Sequence, residues 1–313
     1  MKRYYLSKLG QAIITITLVV LVVFALLRFM PTAGYFSKEQ WKDMSEPEKT
    51  AYLRSLGVLD PLLVQLRRFV TGLFSGDLGR SIVMYPNMPI ASVLGDKMAH
   101  SLLLNLLSWF FSALIGMPLG LAMASRKGGL TDKLGTLYVV IIRAVPSIII
   151  HFFIQIYCSR WLGLPLLFYL EQPISWILPI LSMSIGSIAG YGVWLRRYIV
   201  DEENKDYIKF ARVKGLSQRY IMWRHVLRNA MLPIVTSLGM SVSGLIGGSV
   251  VIEQIFNWNG MGTLFLTANN TNDYPLMMGI MLFLSSFALL ANLVTDLLYS
   301  LLDPRVSAGG GRR

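Results

Sequence analysis

Apolar residues in this chain gather into long runs. Six of them reach the roughly 20 residues that a helix needs to cross a hydrocarbon core about 30 Å thick. They lie at Leu9–Met30 and at about Ser101–Ala124, Leu134–Cys158, Trp176–Leu195, Leu232–Ile252 and Leu276–Leu302. The pattern predicts an all-α membrane protein with six transmembrane helices. The first run follows Lys2, Arg3 and Lys8, as a signal peptide would. It exceeds the apolar length of a secretory leader and has no small-x-small cleavage site before Arg28, so it reads as an uncleaved span. Pro118, Pro146 and Pro179 are placed to kink the second, third and fourth spans. Gly186, Gly190, Gly192, Gly239, Gly244, Gly247 and Gly248 are placed to let helices approach closely. Trp161, Trp176 and Trp258 near span ends read as interfacial anchors.

Between the runs, the cations are unevenly shared. Arg126, Lys127 and Lys133 follow the second run, and Arg196, Arg197, Lys205, Lys209, Arg212, Lys214, Arg219, Arg224 and Arg228 follow the fourth. Arg305, Arg312 and Arg313 close the chain. The loop after the third run has Arg160 as its cation, and Glu253–Pro275 has neither Lys nor Arg. The short loops therefore predict both termini on the cytoplasmic side. The 31–100 segment falls outside; long loops cross largely regardless of charge. Within it, Ser45-Glu46-Pro47-Glu48 has the form of a capped helix start. Leu62, Leu66, Phe69, Val70 and Leu73 predict an amphipathic helix at the bundle or the membrane interface.

The segment of about 196–228 is longer than a connection between neighbouring spans requires. Its apolar residues recur near helical spacing. Gly215 followed by Ser217 predicts a helix stop and restart. Such a pair of short cationic helices suits either an interface with anionic lipid or a groove on a cytoplasmic partner.

Composition agrees with the runs. Of 313 residues, 54% are hydrophobic and 15% are charged, against about 25% charged in soluble domains. The net charge of +12 is scattered between apolar runs and forms no single soluble patch, which argues against nucleic-acid binding. One cysteine, Cys158, excludes an intramolecular disulfide, and His100, His151 and His225 show no metal-ligand spacing. No paired carboxylates or Ser-Lys or His cluster within the runs point to an intramembrane enzyme.

Asp206-Tyr207-Ile208-Lys209-Phe210-Ala211-Arg212-Val213-Lys214-Gly215-Leu216 resembles the EAA coupling loop of ATP-binding-cassette importer permeases, in its peptide-transporter form. Ala211 and Gly215 match the general pattern. Lys209 and Phe210 stand where Glu and Ala are usual, and Leu232-Pro233 lies farther from Gly215 than the general pattern allows. These departures resemble the peptide and nickel branch. Gly76-Asp77-Leu78-Gly79-Arg80-Ser81, after Asp60-Pro61-Leu62, is similar to the family's external motif. Gly248–Phe256 with Gly260-Met261-Gly262, Asp273-Tyr274-Pro275 and Asn292–Tyr299 through Asp303-Pro304-Arg305 match in order. The resemblance thus covers most of the chain and is to the first of two permease subunits of a dipeptide/oligopeptide importer.

The resemblance implies a type I importer permease fold. The tail and first span would occupy 1–30, the external segment 31–100, and a permease core 101–313, with the coupling loop at about 196–228. It implies import of di- or oligopeptides by alternating access in the bacterial cytoplasmic membrane. The partners would be a second permease subunit, two ATPase subunits and an extracytoplasmic binding protein, all in contact with membrane lipid. The chain itself would bind no cofactor and catalyse nothing; ATP and Mg would sit on the ATPases. Absence of a Gly-Lys dipeptide fits this.

On this resemblance, coupling would fall to Lys209, Ala211, Arg212, Gly215 and Leu216. Ala211 would permit close approach and Gly215 a bend, while Arg212 and Lys214 would pair with acids or form a solvated face. Asp77, Gly79 and Ser81 carry the external motif. Arg143 and Asp296, charged residues within spans, are candidates for the translocation pathway. Arg143 also has a structural reading, snorkelling to the interface or pairing with Asp296. The rival functions are a nickel or other small-solute permease of the same class and a secondary transporter driven by an ion gradient.

Overall fold

A computed structural model describes residues 2–36, 38–241 and 244–302. Among the described residues the regular elements are helices, with one isolated antiparallel bridge between Arg80 and Pro89. Two compact units divide the chain. The first comprises residues up to Ser101, Ile246–Val250 and those from Asn259 onward; the second comprises Leu102–Leu245 and Val251–Trp258.

The first unit begins with α1 (Lys2–Phe29), followed by α2 (Lys38–Asp43), α3 (Glu46–Ser55) and α4 (Leu62–Phe74). The opening turns of α5 (Ile90–Ser125), then α14 (Met261–Asn270) and α15 (Tyr274–Leu302), complete it. Helix α3 starts where the sequence predicts: the Ser45 N–H and hydroxyl both donate to Glu48 Oε2 at 2.7 Å. Helix α4 occupies the predicted amphipathic stretch. Ile90, Leu94, Met261, Leu276 and Ile280 form the buried core, and Ile90 presses on Gly279, where a β-carbon would meet it at 2.6 Å.

The second unit holds the rest of α5, then α6 (Leu130–Ala144), α7 (Ser147–Phe153) and α8 (Ser159–Leu162), with a π turn at Ile154–Cys158 between the last two. After a 3-10 turn come α9 (Ile177–Glu203), α10 (Asp206–Val213) and α11 (Gln218–Ile221). A π turn at Met222–Val226 leads into α12 (Leu227–Ser241), and α13 (Val250–Ile255) lies mostly in this unit.

Among the described residues, four stretches are continuous, long and apolar enough to cross a membrane: Ser7–Leu26, Ile90–Ser125, Pro173–Glu203 and Tyr274–Thr295. The predicted third span is broken: Leu130–Ala144 and Ser147–Leu162 meet at 107°. Val145 is extended (φ −87°, ψ 132°) because the ring of Pro146 disfavours helical geometry in the residue before it. The predicted fifth span, Leu232–Ile252, is not one helix either. Helix α12 ends at Ser241, residues 245–249 are not helical, and α13 starts at Val250. Gly244, Gly247 and Gly248 crowd this gap, and each glycine costs about 1 kcal/mol in a helix interior. Gly248 takes φ +68°. Asn105 Nδ2 donates to the Leu245 carbonyl at 2.6 Å, supplying a partner to the interrupted backbone. Pro118, by contrast, lies within continuous α5, and Pro179 falls in the first turn of α9.

Of the glycines expected at close helix contacts, Gly192 faces α5, where a β-carbon would lie 3.2 Å from the Leu119 side chain. Gly186, Gly190 and Gly244 have nothing within 4 Å of a would-be β-carbon. Gly116 and Gly120, spaced as Gly-x-x-x-Gly on α5, are the tight pair. A β-carbon on Gly120 would lie 2.6 Å from the Gly192 carbonyl, and one on Gly116 2.9 Å from that of Ile188. Small residues four apart present one face, which lets the α9 backbone approach. Trp258, expected at an interface, is buried with Phe168 at 5.5 Å between ring centroids.

Gly120→Val should lower stability by about 1–3 kcal/mol through overpacking, whereas Gly186→Ala should be neutral. Thermal unfolding of both variants in one detergent checks this; equal loss in the two would remove the role assigned to the α5–α9 crossing.

Candidate functional site

The 206–226 segment folds as a corner. Helix α10 ends in a Schellman motif: the Gly215 N–H donates to the Arg212 carbonyl at 2.9 Å and the Leu216 N–H to that of Ala211 at 3.3 Å. Gly215 has φ +78°, where a side chain is strained. Ser217 then caps α11, its hydroxyl oxygen accepting from the Tyr220 N–H at 3.3 Å. Stop and restart therefore fall on the residues that the sequence marks.

The two faces of α10 differ. Ile208 and Ala211 are buried in a core with Leu195 and Ile199 of α9, Ile221 of α11 and Ala230 and Ile234 of α12. The small side chain of Ala211 thus serves packing within this chain. The outward face carries Phe210, 68% exposed, and Val213, 86% exposed, and the corner continues with Trp223 at 64%. Lys209 and Arg212 flank this apolar surface. Lys209 reaches Asp206 at 2.8 Å, Arg212 is exposed, and Leu216 is 40% exposed.

A polar node that the sequence did not reveal fixes the corner to its unit. The buried Glu202 carboxylate at the end of α9 accepts from the Tyr207 hydroxyl, from Asn229 Nδ2 of α12 at 3.0 Å, and from Lys205 Nζ at 2.5 Å. Asn229 Nδ2 also donates to the Tyr207 oxygen at 2.7 Å. Burial first, and then the hydrogen bond to Glu202, raise the Tyr207 pKa above its ordinary value. The phenol therefore stays a donor. One carboxylate ties the end of α9, the start of α10 and α12 together. Nearby in the same unit, Asp132 is gripped by Arg196 in two parallel bonds (Nε–Oδ1 2.5 Å, Nη2–Oδ2 2.8 Å) and accepts from the Gly128 N–H at 2.8 Å. Neither acid belongs to a periodic pattern, so only proximity in space identifies them.

Arg143, near the end of α6, lines a cavity of about 400 Å³ with Lys127, Trp194, Arg196 and Arg197. The structure thus places it beside three other cations and one acid, Asp201. Helix α15 includes Asp296, whose side chain lies outside the described residues, as do Asp303-Pro304-Arg305.

In the first unit, the Gly76–Ser81 motif builds a clasp. Asp77 Oδ1 accepts from the Gly79 N–H at 2.8 Å, and Gly79 has φ +87°. Ser81 is buried, and its hydroxyl donates to Asp273 Oδ2 at 2.5 Å. The same oxygen accepts from the Val83 and Met84 N–H groups at 2.9 Å. The other oxygen caps α15, accepting from the Leu276 N–H at 3.2 Å. Asp273 is fully buried. The family motif containing Asp273 is legible in sequence, but its bond to Ser81 is not.

The sequence profile of the family described as "Binding-protein-dependent transport system inner membrane component" matches residues 116–308. The chain belongs to this family. It is 31% identical to the dipeptide transport system permease protein DppB of Lactococcus lactis subsp. cremoris, over 98% of this chain and 99% of that one. It is 30% identical to the oligopeptide transport system permease protein AppB of Bacillus subtilis, over 84% and 86%. The glutathione transport system permease protein GsiC of Salmonella paratyphi A is also 30% identical, over 98% and 99%. Among solved structures, an inward-facing MetNI methionine ABC transporter chain superposes with a TM-score of 0.56 at 17% identity, covering 67% of this chain and 96% of that one. That likeness shows the fold, a type I importer permease. The chain is thus a multi-pass membrane permease subunit and not an enzyme.

Ser81→Ala should cost about 1.5–3 kcal/mol, the range for a hydrogen bond to a charged group, and should speed proteolysis within 31–89. Asp273→Ala should cost more. Unfolding temperature and limited proteolysis of the purified permease read both effects; wild-type behaviour of Ser81→Ala would show the clasp to be dispensable.

Proposed function

We propose that this permease imports di- or oligopeptides across the bacterial cytoplasmic membrane by alternating access. Its partners in this reading are a second permease subunit, two ATPase subunits and an extracytoplasmic binding protein. Both termini lie on the cytoplasmic side, and ATP and Mg act on the ATPases. The named functions of the dipeptide and oligopeptide relatives support the substrate class.

The observation that carries the coupling role is the two-faced α10. One face is locked into the α9–α12 core, and the other offers Phe210 and Val213 between cations. Closure of the ATPases presses on the outward face. Because the inward face is close-packed, the push moves α9 and α12 together, and such packed elements switch between discrete arrangements. Arg212 and Lys214 pair there with acidic groups of the groove. Leu216 closes the corner beneath. Ala211 acts through packing inside this chain, so the exposed side chains are the cleaner test of docking.

Phe210→Glu and Gly215→Asp should each reduce ATP-driven uptake of a labelled tripeptide at least tenfold in proteoliposomes holding the complete importer. Membrane insertion should be unchanged. Stimulation of ATP hydrolysis by the binding protein should fall in parallel. Wild-type uptake by both variants would overturn the docking assignment, and uptake driven by an ion gradient without ATPases would overturn the importer class.

A further inference from the structure

The first unit contains a cationic cavity that borders the clasp, with Ser81 and Ile82 in its wall. It measures about 600 Å³ and lies where α1 ends, with Arg28, Tyr35, Tyr52, Phe69 and Arg80 among its walls. Among the described residues, no Asp or Glu lines it. Arg28 stacks its guanidinium 5.2 Å from the Phe24 ring centroid, and its buried Nε has no hydrogen-bond partner. Arg80 spends one N–H on the Asn87 carbonyl at 2.6 Å. A buried guanidinium N–H without a partner is costly, and an anionic oxygen is the partner that suits its planar fork.

A second cavity of about 490 Å³ continues from the first, sharing Leu78 and Leu282 as walls. It is apolar, bounded by Val20 and Leu21 of α1, Leu73 and Phe74 of α4, and Phe283 of α15. Its far end is marked by Thr17 and Ser286. From Arg28 back to Thr17, α1 descends roughly 16 Å at 1.5 Å per residue. That is about half of a 30 Å hydrocarbon core, the depth of one leaflet. Phe74, at the entrance, is 90% exposed, as a lipid-facing side chain would be. Charge at the membrane boundary, with an apolar groove of acyl-chain depth beneath it, is the shape of a lipid.

We propose that these joined cavities hold one anionic phospholipid, its phosphate between Arg28 and Arg80 and an acyl chain along Leu21, Leu73 and Phe283. The lipid fills the space between α1, α4 and α15 and so fastens the amphipathic α4 to the membrane-spanning pair. Inorganic phosphate or a free carboxylate satisfies the arginines but leaves the groove empty.

The full chain is purified in mild detergent, exchanged into phosphatidylcholine nanodiscs containing a minor fraction of phosphatidylglycerol, and examined by native mass spectrometry. One retained phosphatidylglycerol per chain is expected. Arg28→Gln combined with Arg80→Gln should lower retention at least fivefold, and so should Leu21→Trp, which narrows the groove from its exposed side. Unfolding temperatures in pure phosphatidylcholine should match wild type, and Arg28→Lys should recover part of the retention. Undiminished retention by the double variant and by Leu21→Trp would overturn the site. Equal displacement of the lipid by inorganic phosphate or by tailless glycerophosphate would reduce it to an anion site and overturn the lipid assignment.

Discussion

A backbone inside hydrocarbon has no water to bond, so each N–H and C=O must find its partner within the protein. This requirement governs where helices run; outside the hydrocarbon, many of them stop in one common way. Among the described residues, six helix ends use one solution, a left-handed residue followed by an N–H that reaches five residues back. The turns are at Gly57, Gly76, Gly163, Gly215, Asn257 and Asn272. Their closing bonds are Val58 to Leu53, Asp77 to Gly72, Leu164 to Ser159, Leu216 to Ala211, Trp258 to Glu253 and Asp273 to Ala268, at 2.7–3.3 Å. Glycine and asparagine are the residues that tolerate this conformation. Where α12 stops short of α13, a side chain takes over the task, as Asn105 bonds the Leu245 carbonyl.

Acidic side chains complete what the turns begin. Asp273 caps α15 while receiving donors from 81–84, Glu202 joins the end of α9 to α10 and α12, and Asp132 holds both Gly128 and Arg196. Each carboxylate is buried and saturated with donors, the condition under which a buried charge is tolerated. Each also stands at a helix end. The permease therefore concentrates its charge at the joints between helices. The α10 corner inherits its stiffness from one such joint and its exposed apolar face from the other side of the same helix.

The sequence made legible whatever depends on local pattern. Apolar runs located the helices, Ser45 and Glu48 located a cap, and Gly215 with Ser217 located the corner. Hydropathy could not report the break at Val145–Pro146, because both flanking segments are equally apolar and only their direction changes. It joined α12 to α13 for the same reason. Gly116 and Gly120 look no different in sequence from Gly186 and Gly190; which pair faces a neighbouring backbone is decided by how α5 rotates against α9. Glu202 and Asp132 sit among many charged residues, so only their partners in space distinguish them.

The bond between Ser81 and Asp273 spans 192 positions. A ribosome adding about 5–20 residues per second needs roughly 10–40 s to cover that interval. Throughout it, residues 31–89 exist without the carboxylate that organises the 81–84 turn. The segment is made early and fastened late, so its final shape records the arrival of α15. For that period a chaperone or protease meets a loop that the finished permease never presents.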